Sequence, residues 1–281
     1  SSSAASDVYK RQARGLENRS LKWETTDTKN IGLDFGFFNN KLTGAMNYYY
    51  NQTEELLITK ALPPSAGLNN PILNVGKIRN SGVEVEINWA DSKGGFDYNI
   101  GMNFSTTKNK VVELADKGQV LYGEGLKYGT EHFPTQTRVG KPIGAFYLYK
   151  TNGLFQNNEE ARQYVNADGD EYQPFADAGD IRFVDVNGDG SIDDDDKVYC
   201  GSGIPTLEVN LNFSAGYKGF DLSVVLGSAW GHKIYNGNKY FYEGMNSGSN
   251  FLTSSLNAWT PQNTNTNIPR AIFNDPNGNL K

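Results

Sequence analysis

From residue 31 onward, apolar and polar side chains alternate with a period of two. Ile31, Leu33, Phe35 and Phe37 alternate with Gly32, Asp34 and Gly36, the signature of a strand with one apolar face. Asn39, Asn40 and Lys41 supply a tight turn, after which Leu42, Gly44, Met46, Tyr48 and Tyr50 alternate with Thr43, Ala45, Asn47 and Tyr49. The two runs predict a hairpin. A second copy sets Val83, Val85, Ile87 and Trp89 against Glu84, Glu86 and Asn88, turns between Asp91 and Gly95, and returns through Phe96, Tyr98, Ile100, Met102 and Phe104. A third runs through Leu207, Val209, Leu211, Phe213, Ala215 and Tyr217, turns at Lys218-Gly219, and returns through Phe220, Leu222, Val224, Leu226 and Trp230. The predicted strands cover about 31–38, 42–55, 82–90, 96–106, 207–217 and 220–230.

Arms of about 8 to 12 residues match the length that a tilted strand needs to cross a membrane. The hairpin turns are short, whereas the opposite ends are joined by long polar excursions over 56–81, 107–206 and 231–281. That asymmetry is what an outer-membrane barrel shows, with short periplasmic turns and long external loops. Ile143 to Tyr149 is surplus to the parity of crossings and is assigned to folded external structure, with a short helix over 157–164 next to it. The fold class expected is all-β: an antiparallel transmembrane barrel segment of about six strands in three hairpins, incomplete as a barrel. Alternation alone leaves a soluble β-sandwich or β-solenoid equally open, because a half-buried sheet has the same pattern. Residues 1–13 share none of this pattern, resemble translated adapter or linker sequence, and are set aside, leaving 14–281 as the domain.

Composition sharpens the choice. The 281 residues include 31 Gly and 35 aromatics, which suits strands with generous loops better than a helical α/β enzyme. The formal charge is −6 with no basic cluster, so nucleic acid is not an expected partner. A single cysteine, Cys200, excludes an internal disulfide and a cysteine metal cage. No run approaches the roughly 18 apolar residues of a membrane helix.

The acidity sits in one place. Residues 166–196 hold 11 acidic side chains and one cation, Arg182, a net of −10 that leaves +4 for the rest. Within it, the twelve residues from Asp185 to Asp196 follow a calcium-loop spacing: Asp185, Asn187 and Asp189 at positions 1, 3 and 5, Gly190 at 6, Ile192 at 8 and Asp196 at 12. The expected ligands are Asp185, Asn187, Asp189, the Ser191 carbonyl, Asp193 and Asp196. Position 12 is Asp rather than Glu and strands flank the loop, so the role expected of Ca2+ is structural. A merely solvated Asp/Gly turn is the alternative.

Four stretches taken together resemble the SusC/RagA group of TonB-dependent outer-membrane transporters: LKWETTDTKNIGLDFGFFNNKLTGAMNYYYNQTEELL from Leu21, NVGKIRNSGVEVEINW from Asn74, GKPIGAFYLYKTNGLFQ from Gly140, and GDIRFVDVNGDGSIDDDDKVYCGSGIPTLEVNLNFSAGYKGFDLSV from Gly179. The resemblance covers nearly all of 16–230. It implies an internal stretch from the C-terminal half of a plugged barrel of about 22 strands, in the outer membrane of a Gram-negative bacterium. It further implies energy from the TonB complex through an N-terminal part, a SusD-like surface lipoprotein, and glycan or peptide cargo. Outer-membrane lipid is then a partner of the strands.

The remaining candidates are weak for catalysis, and no enzyme is expected. His132 and His232 lie in different loops with no serine or cysteine partner motif. Glu84 and Glu86 share one strand face and fit a wet lumen better than a glycosidase pair. Cys200 in YCGSG has no basic neighbour in sequence and is expected to be inert. Tyr48 and Tyr50 suit an aromatic girdle. Tyr240, Phe241 and Tyr242, beyond the last strand, are candidates for contact with substrate or the lid lipoprotein, against simple packing among loops. The competing function is a secreted, calcium-stabilised β-sheet module for carbohydrate binding or adhesion.

Overall fold

A computed structural model describes residues 21–59, 72–123, 126–128, 130–245 and 250–279; the set-aside tail at 1–13 lies outside them. Contacts divide the chain into two units. The first comprises Ser1–Leu121, Thr137–Ile143 and Ile204–His232, and the second Tyr122–Gln136, Gly144–Gly203 and Lys233–Lys281.

The first unit is a mostly antiparallel sheet, open at both edges. Its six long strands are β1 (Thr25–Phe37), β2 (Leu42–Thr59), β3 (Ile72–Lys93), β4 (Phe96–Thr106), β14 (Leu207–Tyr217) and β15 (Phe220–Trp230). Their order is β1-β2-β3-β4-β14-β15, and β5 (Lys108–Glu113) pairs with the upper part of β3. The three predicted hairpins are present, and the tight turns use left-handed backbone as short antiparallel hairpins require. Asn39 and Asn40 have φ of 56° and 62°, Gly94 and Gly95 63° and 79°, and Lys218 and Gly219 49° and 87°.

The excursion expected over 56–81 is largely strand. β2 continues to Thr59, β3 begins at Ile72, and the two stay paired to the Thr59–Ile72 rung; the tip at 60–71 lies outside the described residues. The reason is visible in the side chains. Above Tyr50 the outward positions turn polar or charged and the register shifts between Thr53 and Leu57, so alternation is lost while backbone pairing continues, tied by Lys77 to Glu54 (3.0 Å).

Because partners in a ladder share a face, the register can be followed across all six strands. Phe37, Leu42, Trp89, Ile100, Phe213 and Val224 form one rung; Phe35, Gly44, Ile87, Met102, Leu211 and Leu226 form the next. The opposite face carries rungs such as Asp34, Ala45, Glu86, Asn103 and Asn210, with Asn210 Nδ2 donating to Asn103 Oδ1 (2.9 Å). From the Lys93 rung to the Val83 rung, ten residues at about 3.3 Å and a tilt of about 40° give a mostly apolar band about 25 Å tall, the height of a barrel's lipid-facing belt, with Asp91 and Lys93 at its turn end. Aromatics gather at its turn end, where Phe96 stacks on Tyr98 (5.7 Å) and lies 6.3 Å from Tyr217.

The second unit is built from the long excursions. The apolar piece at Ile143 to Tyr149 supplies β10 (Ala145–Tyr149), which pairs with β9 (Thr135–Thr137) and β13 (Lys197–Gly201); β6 (Leu121–Tyr122) continues that sheet. β7 (Leu126–Tyr128) pairs with β8 (Thr130–His132), and β11 (Thr151–Leu154) with β12 (Ile181–Phe183). The helix predicted over 157–164 is α1 (Asn158–Arg162), capped by Asn157, whose side chain accepts from the Glu160 N–H (2.8 Å). A small core of Phe155, Ala161 and Ala176 lies under it, with Tyr164 packed alongside. The C-terminal excursion contains α2 (Gly237–Tyr242) and a 3-10 turn at Thr253–Asn257.

Candidate functional site

The acidic loop folds as a chain of side-chain-to-backbone turns. Asp185 accepts through Oδ1 from the Gly188 N–H (2.6 Å) and through Oδ2 from the Gly190 N–H (2.9 Å). Asn187 Oδ1 accepts from the Asp189 N–H, and Asp189 Oδ1 from the Ser191 N–H, both at 2.9 Å. Asp196 is fully buried and ties the two ends of the loop together: Oδ1 accepts from Val186 (2.7 Å) and Asn187 (3.3 Å), and Oδ2 from Asp193 (2.9 Å). Asp193 in turn accepts from the Asp195 N–H (2.9 Å).

This donor set is all oxygen, which suits a hard cation, though both acceptor sites of Asp196 Oδ1 are taken by backbone N–H groups. Asp196 fits the part of a clasp better than that of a free bidentate ligand. Among the described residues no three His, Cys, Asp or Glu side chains converge at metal-binding distance. Burial pushes the Asp185 carboxyl up, but the N–H groups of Gly190 and Gly188 and the Tyr172 hydroxyl outweigh it and hold it below the usual carboxylate range.

Next to the loop in sequence, Asp194 anchors a buried cation. Lys197 Nζ lies 2.7 Å from Asp194 Oδ1 and 5.1 Å from the Tyr149 ring centroid, with its side chain almost wholly covered. The hydroxyls of Tyr149 (3.1 Å) and Tyr122 (3.3 Å) donate to the same carboxylate. Burial, reinforced by the Asp194 charge, pushes the Tyr149 phenol far above its ordinary value, so it serves as a donor at any physiological pH.

A second polar network was not foreseen from the sequence. Asp180, fully buried, takes both Nε (2.7 Å) and Nη2 (2.9 Å) of Arg270, and Asn279 Nδ2 donates to it at 2.9 Å. Asn279 Oδ1 accepts from the Ile181 N–H (2.7 Å), while Gln173 bridges Asn277 (2.7 Å) and the Phe183 N–H (2.8 Å). These bonds pin residues 270–279 onto the acidic excursion about ninety positions earlier. The signal available in sequence was the buried-type Asp within GDIRF and the run of asparagines near the C-terminal end, neither of which names its partner.

An open cleft of about 500 Å³ lies within the same unit, floored by Phe146, Leu148, Ile181 and Ile268, with Lys239 and Glu243 on its wall. Cys200 lines it. Of the predicted contact residues, Phe241 and Tyr242 sit on α2 but do not line the cleft, and the Tyr240 side chain lies outside the described residues. Glu84 and Glu86 lie on the polar face of the sheet, opposite Asn47 and Ala45.

Comparison with known proteins adds a third kind of observation. The family described as TonB dependent receptor-like, beta-barrel matches residues 3–260. TonB-dependent receptor P3 of Formosa agariphila is 32% identical over 255 residues, 90% of this chain and 25% of that protein. TonB-dependent receptor SusC of Bacteroides thetaiotaomicron is 27% identical over 245 residues, 85% of this chain and 22% of that protein. A solved structure of the RagAB peptide transporter aligns with a TM-score of 0.69 over 93% of this chain and 28% of its own, at 22% identity, a likeness of fold. The chain spans about a quarter of the length of the curated relatives it matches.

Proposed function

This chain belongs to the TonB-dependent receptor-like β-barrel family, and from that premise we propose that it forms wall and external structure of an outer-membrane importer. The observation that carries the reading is the mostly apolar face, about 25 Å tall on β3, β4, β14 and β15 and shared by all six strands from the Trp89 rung to the Val83 rung, backed by a face of amides, carboxylates and glycines. Lipid covers the first face and the wet lumen is bounded by the second. Transport is gated binding and passage, with no covalent step and no residue acting as acid, base or nucleophile. A secreted binding module would have to cover Leu222, Val224 and Leu226 with a second sheet; these side chains are exposed on β15, and family membership favours lipid as their cover.

The cargo proposed is an oligosaccharide or peptide, handed over by a SusD-like surface lipoprotein, with energy supplied through TonB. Uptake of fluorescent oligosaccharides and peptides by cells carrying the intact protein tests this. Accumulation should stop when the proton-motive force is dissipated or the lipoprotein gene is deleted; accumulation indifferent to both would contradict it.

Calcium is proposed as a structural ion of the acidic loop, held by Asp185, Asn187, Asp189, the Ser191 carbonyl, Asp193 and Asp196. It would offset part of the net charge of −10 on this segment and stiffen the excursion. The support is the twelve-residue oxygen-donor spacing.

A further inference from the structure

Above the apolar band, the outward face of the sheet turns cationic. The last apolar rung is Ile31, Tyr48 and Val83. One rung higher on the same face stand Lys29, Tyr50, Ser81 and Lys108, and one higher again Asp27, Gln52, Arg79 and Lys110. β5 continues the register of β4 along β3, so Lys108 and Lys110 extend the lipid-facing row of Phe104 and Thr106.

Of these four cations only Lys29 is neutralised, by Asp27 at 3.3 Å. Among the described residues Arg79, Lys108 and Lys110 make no ion pair. The Arg79 guanidinium is propped against the Tyr50 ring at 5.1 Å, with Lys29 Nζ 5.9 Å from the same ring. Nη2 of Arg79 makes one long bond to Gln52 Oε1 (3.4 Å), and its buried Nε has no partner. With Nε covered, it is the two terminal nitrogens of this propped planar fork that are left to meet a bidentate acceptor from outside.

Height decides which acceptor. Each rung is about 5 Å along the membrane normal for a rise of about 3.3 Å per residue and a tilt of about 40°. The two cationic rungs therefore lie about 5 and 10 Å beyond the hydrocarbon edge, within and just above a headgroup layer about 5–8 Å deep. They are at the end away from the tight turns, which in the proposed orientation is the outer leaflet.

We propose that Arg79, Lys108 and Lys110 form a docking site for the phosphate groups of an outer-leaflet glycolipid, with Tyr50 as the platform that orients the guanidinium. The inference rests on the barrel reading, since it needs this face in lipid. It assigns a lipid to a place on the wall rather than a cargo to the lumen. Phosphate accepts two N–H bonds from Arg79 and ionic contacts from the two lysines, while the acyl chains lie along the Tyr48 and Val83 rung below.

The test is native mass spectrometry of the intact protein, purified in detergent and titrated with phosphorylated lipid A, with enzymatically dephosphorylated lipid A, and with inorganic phosphate. Phosphorylated lipid A should bind with salt-sensitive affinity. The triple substitution Arg79→Gln, Lys108→Gln, Lys110→Gln should weaken it about a hundredfold, as expected for three basic contacts near an anionic headgroup layer. The control triple Lys150→Gln, Lys233→Gln, Lys239→Gln, in the second unit, should change nothing. Equal binding of dephosphorylated lipid A, or unchanged binding by the triple variant, would overturn the proposal. Competition by inorganic phosphate at the lipid's own concentration would also overturn it, by making the site a free-anion site. The titrations on unmodified protein stand even if the triple variant fails to insert. Failure of the barrel reading is seen separately, as absence of the intact protein from the outer-membrane fraction or of a heat-modifiable band.

Discussion

At the scale of single residues, the second unit depends on charges whose ion-pair partners lie far along the chain, Asp180 and Arg270 above all. Asp180→Ala would strand Arg270 beside Asp177, its 3.3 Å neighbour, and should destabilise the unit by about 3 kcal/mol, as breaking a buried pair does. Hydrogen exchange should show the loss at 173–183 and 270–279 together, with the strand ladder of the first unit unaffected. Gly82 is a residue of the opposite kind, set by space alone. A β-carbon there would run into the Thr106 carbonyl and lie 2.7 Å from the Tyr49 hydroxyl, which itself donates to the Thr106 carbonyl (3.1 Å). Gly82→Ala should therefore cost about 1–3 kcal/mol by overpacking, measured as a lower urea midpoint for loss of the folded barrel band. Legibility at this scale follows sequence distance. The Asp185 to Asp196 pattern is local and could be read from spacing, whereas Asp180 and Arg270 are ninety residues apart and no periodicity joins them.

Among the elements, β15 offers the cleanest discrimination because adjacent residues face different solvents. Val224 belongs to the apolar rung of Phe213 and Ile100, and Val225 to the polar rung of Asn212, Gly101 and Asn88. Val224→Arg should cost about 2–4 kcal/mol in folding into a bilayer, and Val225→Arg close to nothing, given the depth dependence of cations on a barrel's lipid face. Folding into lipid vesicles, followed by heat-modifiability, separates the two. The sequence located this hairpin to the residue because Lys218-Gly219 can make only a tight left-handed turn and both arms keep strict alternation. It ended β2 at 55 and began β3 at 82 because Leu56 to Thr59 is an apolar run without alternation, Ile72 to Ser81 mixes apolar, amide and charged residues on both faces, and the register shifts between Thr53 and Leu57. There the strand is held by its ladder and by charged cross-strand pairs, which hydrophobic periodicity does not detect.

The molecule as a whole divides into a sheet and a second unit formed by its long excursions. If calcium stiffens the acidic excursion, millimolar calcium should protect residues 166–196 of the intact protein from protease, chelation should expose them, and Asp189→Asn should raise the calcium needed. Protection indifferent to calcium would leave the loop as the hydrogen-bonded set of turns described above. The central claim is that one face of the six-strand sheet meets lipid and the other meets water. The measurement that tests it most directly is a cysteine scan of β15 from Asp221 to Leu226, in cells making the intact protein in a background with Cys200 replaced. Positions 222, 224 and 226 should react only with a membrane-dissolved reagent, and positions 221, 223 and 225 only with a water-soluble maleimide. Uniform reaction of all six with the aqueous reagent, or their recovery in a soluble fraction, would contradict the account.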